Sequence, residues 1–310
     1  MKHSSVLPLL LLLGTCSAYT YQNVALRGKA TQSDRPVEPL GAAYNAIDGN
    51  RDSNFFAGSC SHTVEQTNPW WRVDLLESYI LTSVIVTNRG DCCEDFINGA
   101  EIHVGNSVNT DAANPVAGVI PQIPLGRSLK ITFTRRVEGR YVTVLLPGSK
   151  RMLTFCEVEV YGYRAPTGEN LALQGKATQS SLHSTGIANN AIDGNRATKW
   201  NQASCTHTTQ ELNPWWRLDL GKTHKVFSVN ITNYVALHLQ LIGAEIRIGD
   251  SSENNGNSNP RCAVISRISP GFTENFQCNG MDGRYVNIVI PGRSEELILC
   301  EVEVYGSRLD

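Results

Sequence analysis

Apolar and polar residues alternate singly along much of this chain. Trp71 to Leu75, Glu101 to Val104 and Glu157 to Val160 each place every second side chain on one face. That is the pattern of a strand burying one side. Ser83 to Thr87 and Tyr141 to Leu146 are rich in β-branched and aromatic residues, which fit a pleated, half-buried surface. Gly, Asn, Asp and Pro interrupt the pattern every ten or so residues, as they do in antiparallel sandwiches. No amphipathic helical pattern extends beyond two turns. The pattern predicts an all-β protein built of β-sandwiches with long loops at one end.

The pattern also occurs twice. Asn23-Val-Ala-Leu-Arg-Gly-Lys-Ala-Thr-Gln-Ser33 returns as Asn170-Leu-Ala-Leu-Gln-Gly-Lys-Ala-Thr-Gln-Ser180. Asn45-Ala-Ile-Asp-Gly-Asn-Arg51 returns from Asn190 to Arg196, and Asn68-Pro-Trp-Trp-Arg-Val-Asp-Leu75 from Asn213 to Leu220 with one change. Cys156-Glu-Val-Glu-Val-Tyr-Gly162 returns from Cys300 to Gly306. The spacing is too long for a solenoid repeat. It describes one module written twice, joined near Tyr163 to Gly168, with tandem domains over residues 19–163 and 164–310.

Composition narrows the class. The 310 residues are 41% apolar and 18% charged, with a formal charge of -2, so wholesale disorder is disfavoured. Nucleic acid is disfavoured as a partner, because phosphate binding needs a basic excess. Residues 1–18 read as a secretory signal peptide. Lys2 is followed by an apolar stretch from Val6 to Leu13 and by small residues at Ser17 and Ala18. That stretch is shorter than the roughly 20 residues a span needs, so no transmembrane segment is expected. The chain holds nine cysteines. Cys16 departs with the signal, leaving an even number in an oxidising, extracellular compartment.

Repeat equivalence pairs the cysteines as Cys60–Cys156 and Cys205–Cys300, and leaves Cys262–Cys278 as a third bridge. Cys92 and Cys93 are adjacent, and form either a strained vicinal disulfide or two free or intermolecular thiols. The turn holding Asn45, Asp48, Gly49 and Asn50 recurs as Asn190, Asp193, Gly194 and Asn195. Glu157 and Glu301 follow one half of each shared bridge, and Ser59 and Ser204 precede the other. Carboxylates, a hydroxyl and turn carbonyls are the hard oxygen donors calcium takes. An Asx-turn beside a surface glutamate explains the same spacing.

Catalysis finds little support. His62, Ser59 and Asp48 are a nominal triad, but no nucleophile elbow or metalloprotease helix accompanies them. No phosphate-cradling glycine loop is present. The loop Asn88-Arg-Gly-Asp-Cys-Cys93 follows a predicted strand. Arg89 offers a rigid fork of donors, His62 a ring nitrogen, and Phe55 and Phe56 an apolar wall. Polar donors beside an aromatic wall and a flat disulfide suit a monosaccharide. Arg89 as a surface ion-pair partner, or Arg89-Gly90-Asp91 as an integrin-type tripeptide by chance, are the plainer readings.

Taken together, these motifs closely resemble those of the F-type lectins, or fucolectins, of fish, over residues 23–162 and 170–306. The resemblance implies two tandem discoidin-like β-sandwich (jellyroll) domains, no enzymatic activity, one structural calcium per domain and binding of terminal L-fucose. Carried over motif by motif, the calcium ligands fall on Asn45, Asp48, Asn50, Ser59, Cys156 and Glu157. In the second domain they fall on Asn190, Asp193, Asn195, Ser204, Cys300 and Glu301. The family's sugar motif is a histidine, an arginine 27 residues later and a second basic residue seven beyond that. His62 and Arg89 match, with Cys92 and Cys93 matching the family's vicinal bridge, but Phe96 stands at the second basic position. In the second domain only His207 matches; Tyr234 and Leu241 stand at the basic positions, and Leu237 and His238 replace the cysteine pair.

The expectation is therefore a secreted, calcium-bearing lectin. It recognises fucosylated glycans on microbial or host surfaces through its first domain, in innate immune recognition. A discoidin-like adhesion or scaffold module that binds protein or phospholipid is the alternative, with Phe96 and Leu237 to Leu241 as candidate apolar spikes. Oligomeric state stays open, although a homo-oligomer would raise the avidity of a single-site lectin. The sequon at Asn230-Ile-Thr232 falls in a predicted strand, which argues against its use.

Overall fold

The computed structural model describes residues 21–34, 39–109, 114–235 and 241–309. The expected signal peptide lies outside them. Among the described residues all regular structure is β-strand and short 3-10 turns. The first domain contains β1 (Lys29–Gln32), β2 (Ser61–His62), β3 (Trp70–Thr87), β4 (Glu101–Gly105), β5 (Val116–Val119), β6 (Ser128–Leu145), β7 (Thr154–Phe155) and β8 (Glu157–Arg164). The second repeats the plan. Its strands are β9 (Lys176–Gln179), β10 (Thr206–His207), β11 (Glu211–Leu212), β12 (Trp215–Thr232), β13 (Glu245–Gly249), β14 (Arg261–Val264), β15 (Thr273–Val289), β16 (Ser294–Glu295), β17 (Ile298–Leu299) and β18 (Glu301–Arg308).

Two runs expected as separate strands, Trp71 to Leu75 and Ser83 to Thr87, belong to one 18-residue strand, β3. Register shifts between Asp74 and Tyr79 and between Leu81 and Ser83 divide its pairing. Its first part pairs β1 and the end of β6, while its second part pairs β8 and the start of β6. Strands that bend at bulges and pass from one layer to the other form the corners of a sandwich. β12 and β15 do the same in the second domain.

Alternation holds where one face meets water. Trp71, Val73 and Leu75 are buried, and Trp70, Arg72 and Asp74 are half-buried. Trp71 sits at the centre of the first core, edge-on to Phe155 at 5.3 Å, and its indole N–H donates to Ala43 O at 2.9 Å. Trp216 makes the equivalent bond to Ala188 O. Alternation fails in β8, where Glu157 and Glu159 are buried beside Val158 and Val160. Glu159 is paired with Arg51, and Glu157 accepts from the Gly49 N–H.

All four expected bridges are present: Cys60–Cys156, Cys92–Cys93, Cys205–Cys300 and Cys262–Cys278. The first and third span 96 and 95 residues. Closing loops of that length stabilises each domain by about 4–5 kcal/mol in the chain-entropy model. Each fastens a loop at one end of the sandwich to the start of β8 or β18.

Candidate functional site

The Asn45 to Arg51 turn is held against β8 from both ends. Gly49 N–H donates to Glu157 Oε1 at 3.1 Å, and Arg51 grips Glu159 with two bonds. Gly49 has φ +82°, a conformation that L side chains rarely adopt. Asn50 N–H donates to Asp48 Oδ1 at 2.8 Å, and Asp52 N–H to Asn50 Oδ1 at 3.0 Å. Ser59 is buried, its hydroxyl donating to Asp52 O at 2.5 Å. Asn45 Nδ2 donates to Cys60 O at 3.2 Å.

Glu157 is fully buried, and its Oε2 has no hydrogen-bond partner among the described residues. Burial first, then the neighbouring Asp48 charge, push its carboxyl up to about 8. The second domain reproduces each element. Gly194 N–H donates to Glu301 Oε1 at 3.0 Å, Arg196 grips Glu303, and Glu301 Oε2 is buried without a partner among the described residues. Burial, with Asp193 adding to it, raises Glu301 to about 7. A buried carboxylate oxygen without a donor, beside a turn of carboxylate and amide oxygens, is a donor set suited to a hard cation. The role of Arg51 and Arg196 was missed in the sequence, although each recurs within the repeated turn and so carried a signal.

The second constellation assembles at the far end of β3. Arg89 is only 7% exposed. Its Nε and one terminal nitrogen bind Asp91 at 3.0 and 2.6 Å, and its guanidinium carbon lies 4.3 Å from the Phe55 ring centroid. The Arg89 hydrogen bonds hold the Asp91 carboxyl down at about 2. Asp91 Oδ1 also accepts from Phe55 N–H at 2.9 Å, so one carboxylate positions both the cation and the aromatic wall. Phe55 meets the His62 ring edge-on at 5.8 Å. His62 Nδ1 is buried without a partner among the described residues, and burial, then Arg89, lower its basicity.

The ion-pair reading of Arg89 is partly right. It does form an ion pair, yet one that fixes it over Phe55 within the site. That pairing ties Arg89, which is buried, to Asp91, which stays exposed, so the two side chains bond each other. Gly90 packs so closely on Ser53 and Gly126 that an added Cβ would come within 2.4 Å of Ser53 Oγ. Cys92–Cys93 follows directly, with Cys93 at φ +64°. Phe56 is 73% exposed beside Phe55, and Phe96 is half-buried on the next 3-10 turn. The sequence presents Asp91 only as part of a tripeptide; its contacts depend on a side-chain direction that sequence spacing does not give.

In the second domain Trp200 takes the place of Phe55, edge-on to His207 at 5.3 Å. Leu241, expected as part of an exposed apolar spike, is instead 3% exposed in the core. Residues 237–240 of that stretch lie outside the described residues.

The family described as NedA-like, galactose-binding domain matches twice, over residues 45–144 and 190–288. Fucolectin-1 of Anguilla japonica is 52% identical over 147 residues, which is 46% of this chain and 82% of that protein. The chain belongs to the fucolectin, or F-type lectin, family. The fucolectin of Anguilla anguilla is 51% identical over 146 residues, 46% of this chain and 92% of its own length. The crystal structure of a fucolectin from the serum of striped bass, Morone saxatilis, is 69% identical with a TM-score of 0.91, covering 94% of this chain and all of that one. Fucolectins are carbohydrate-binding lectins rather than enzymes, and the tandem discoidin-like fold is theirs. Among the described residues no helix is long and apolar enough to cross a membrane.

Proposed function

We propose that this fucolectin is a secreted lectin that binds terminal L-fucose on glycans, mainly through its first domain, in innate immune recognition. The observation that carries this reading is the Arg89 guanidinium stacked on Phe55 and locked by Asp91, beside the unpartnered Nδ1 of His62. A fixed cationic donor and an imidazole nitrogen suit vicinal sugar hydroxyls. The Phe55 ring and the Cys92–Cys93 bridge offer a flat face to the apolar side of the ring. With Phe96 in place of a second cation, binding rests on fewer charge-assisted bonds. The second domain lacks the arginine and does not share this role.

One calcium per domain braces the loops. Asn45, Asp48, Asn50, Ser59, Glu157 and the Cys156 carbonyl would hold it in the first domain. Asn190, Asp193, Asn195, Ser204, Glu301 and the Cys300 carbonyl would hold it in the second. The unpartnered Oε2 atoms of Glu157 and Glu301 support this set. The ion would neutralise these carboxylates and stiffen the loop that carries Phe55 and His62.

The test is a glycan array probed with the full chain and with Arg89→Ala, with and without calcium. The expected result is fucose-dependent binding that falls roughly tenfold to a hundredfold in the variant, the worth of one charge-assisted hydrogen bond. Equal binding by the variant, or binding indifferent to fucose, overturns the reading. Selective binding to anionic lipid vesicles would favour the adhesion alternative.

A further inference from the structure

The second domain departs from the first where the sugar clamp would be. His183, His207 and Glu296 present ligand atoms that all lie within 4.8 Å of one another. His207 Nε2 is 3.1 Å from Glu296 Oε2, and the His183 and His207 rings lie 4.4 Å apart, centroid to centroid. His183 is exposed and His207 is buried, so the cluster opens to solvent on the His183 side.

The cluster is held by its backbone. His183 N–H donates to His207 O, and His207 N–H to Gly186 O, both at 2.9 Å. Gly186 N–H closes the turn onto His183 O at 3.1 Å. The Gln179 side-chain amide donates to Ser181 O, Gly186 O and His207 O, tying the turn to β10. Gly186 makes the approach possible, since an added Cβ would lie 2.6 Å from the Cβ and backbone N of His207. Glu296 arrives from the short connection between β16 and β17, and β17 pairs β10 at His207. Trp200 stands edge-on to His207 and shields one side.

We propose that His183, His207 and Glu296 form a binding site for a borderline divalent transition metal, with zinc as its representative, in the second domain. Two imidazoles and a carboxylate suit such an ion, whereas calcium takes oxygen donors. Tetrahedral zinc with three protein ligands and a water has bonds near ~2.1 Å. Ligand atoms around such an ion are separated by roughly 3.4 Å, close to the His207–Glu296 spacing. The first domain has methionine, Met152, where the repeat places Glu296, and no histidine between Asp34 and Tyr44, where the repeat would place His183. The site belongs to the second domain alone and stands whether or not the first domain binds fucose.

The test titrates zinc chloride into the full chain with calcium present in excess, so that the oxygen-donor turns are not available to zinc. Thermal unfolding and titration calorimetry are read together, and cobalt substitution reports coordination number through its visible absorption. The expected result is one zinc per chain bound through this cluster, a higher Tm for the second domain, and four-coordinate cobalt bands. His183→Ala and Glu296→Gln should each weaken zinc binding by about 100-fold or more, since loss of even an outer partner costs ~10–100-fold. His183 is on an exposed turn, so its variant should keep the wild-type response to calcium. No zinc binding by the wild type, or binding unaltered in both variants, overturns the proposal.

Discussion

Gly49 and Glu157 are 108 residues apart, yet the Gly49 N–H donates to one carboxylate oxygen of Glu157 at 3.1 Å while the other oxygen is buried without a donor among the described residues. A pH dependence follows. Glu157 has an ordinary value of 4.5 and is raised to about 8 in the folded, calcium-free chain. Below the lower value both states hold the proton. Between the two, the unfolded chain ionises and the folded chain does not, so stability falls as pH rises through that window. The proposed calcium would require the carboxylate and bind the folded state, so it would reverse this slope. Thermal unfolding from pH 4.5 to 8, with a chelator and with calcium, should show opposite trends. Identical curves in the two buffers would count against calcium at Glu157 and Glu301.

Asp91 holds Arg89 over Phe55 without contributing to the core. Asp91→Ala frees the guanidinium to move, and ordering it again on binding uses up ~1 kcal/mol of affinity. Affinity for L-fucose should drop about tenfold or less, with less effect than Arg89→Ala. Titration calorimetry on the full chain measures it. A larger loss in Asp91→Ala than in Arg89→Ala would show that the carboxylate itself touches the ligand.

Trp71 and Trp216 anchor two separate cores. Trp71→Ala removes the indole and leaves a cavity, at a cost of about 3–5 kcal/mol. Calorimetry should show the unfolding of the first domain moved to lower temperature and that of the second unmoved. A matching fall in both would mean that the domains unfold as one unit.

The fold class was legible because period-two alternation reports a buried face directly, as at Trp71, Val73 and Leu75. The duplication was legible because long motifs recur, and it carried the Cys60–Cys156 and Cys205–Cys300 pairings with it. Strand length was not legible. β3 passes through two bulges, and a bulge changes which face is buried without leaving a gap in the pattern. The inward turn of Glu157 and Glu159 was hidden too, because alternation assigns charged residues to solvent.

The sequence by itself determined the class, the two copies, the two repeated bridges and the residue types gathered in each loop. The tertiary structure decided how those residues face one another. Arg89 could have been a surface ion pair until Asp91 and Phe55 were seen to fix it in the site. Leu241 could have been an exposed spike until it was found in the core. His183, His207 and Glu296 lie on three segments joined by strand pairing and one close glycine contact. Spacing along a chain fixes what is near in sequence; side-chain direction and cross-strand register, which sequence spacing does not encode, fix what is near in space.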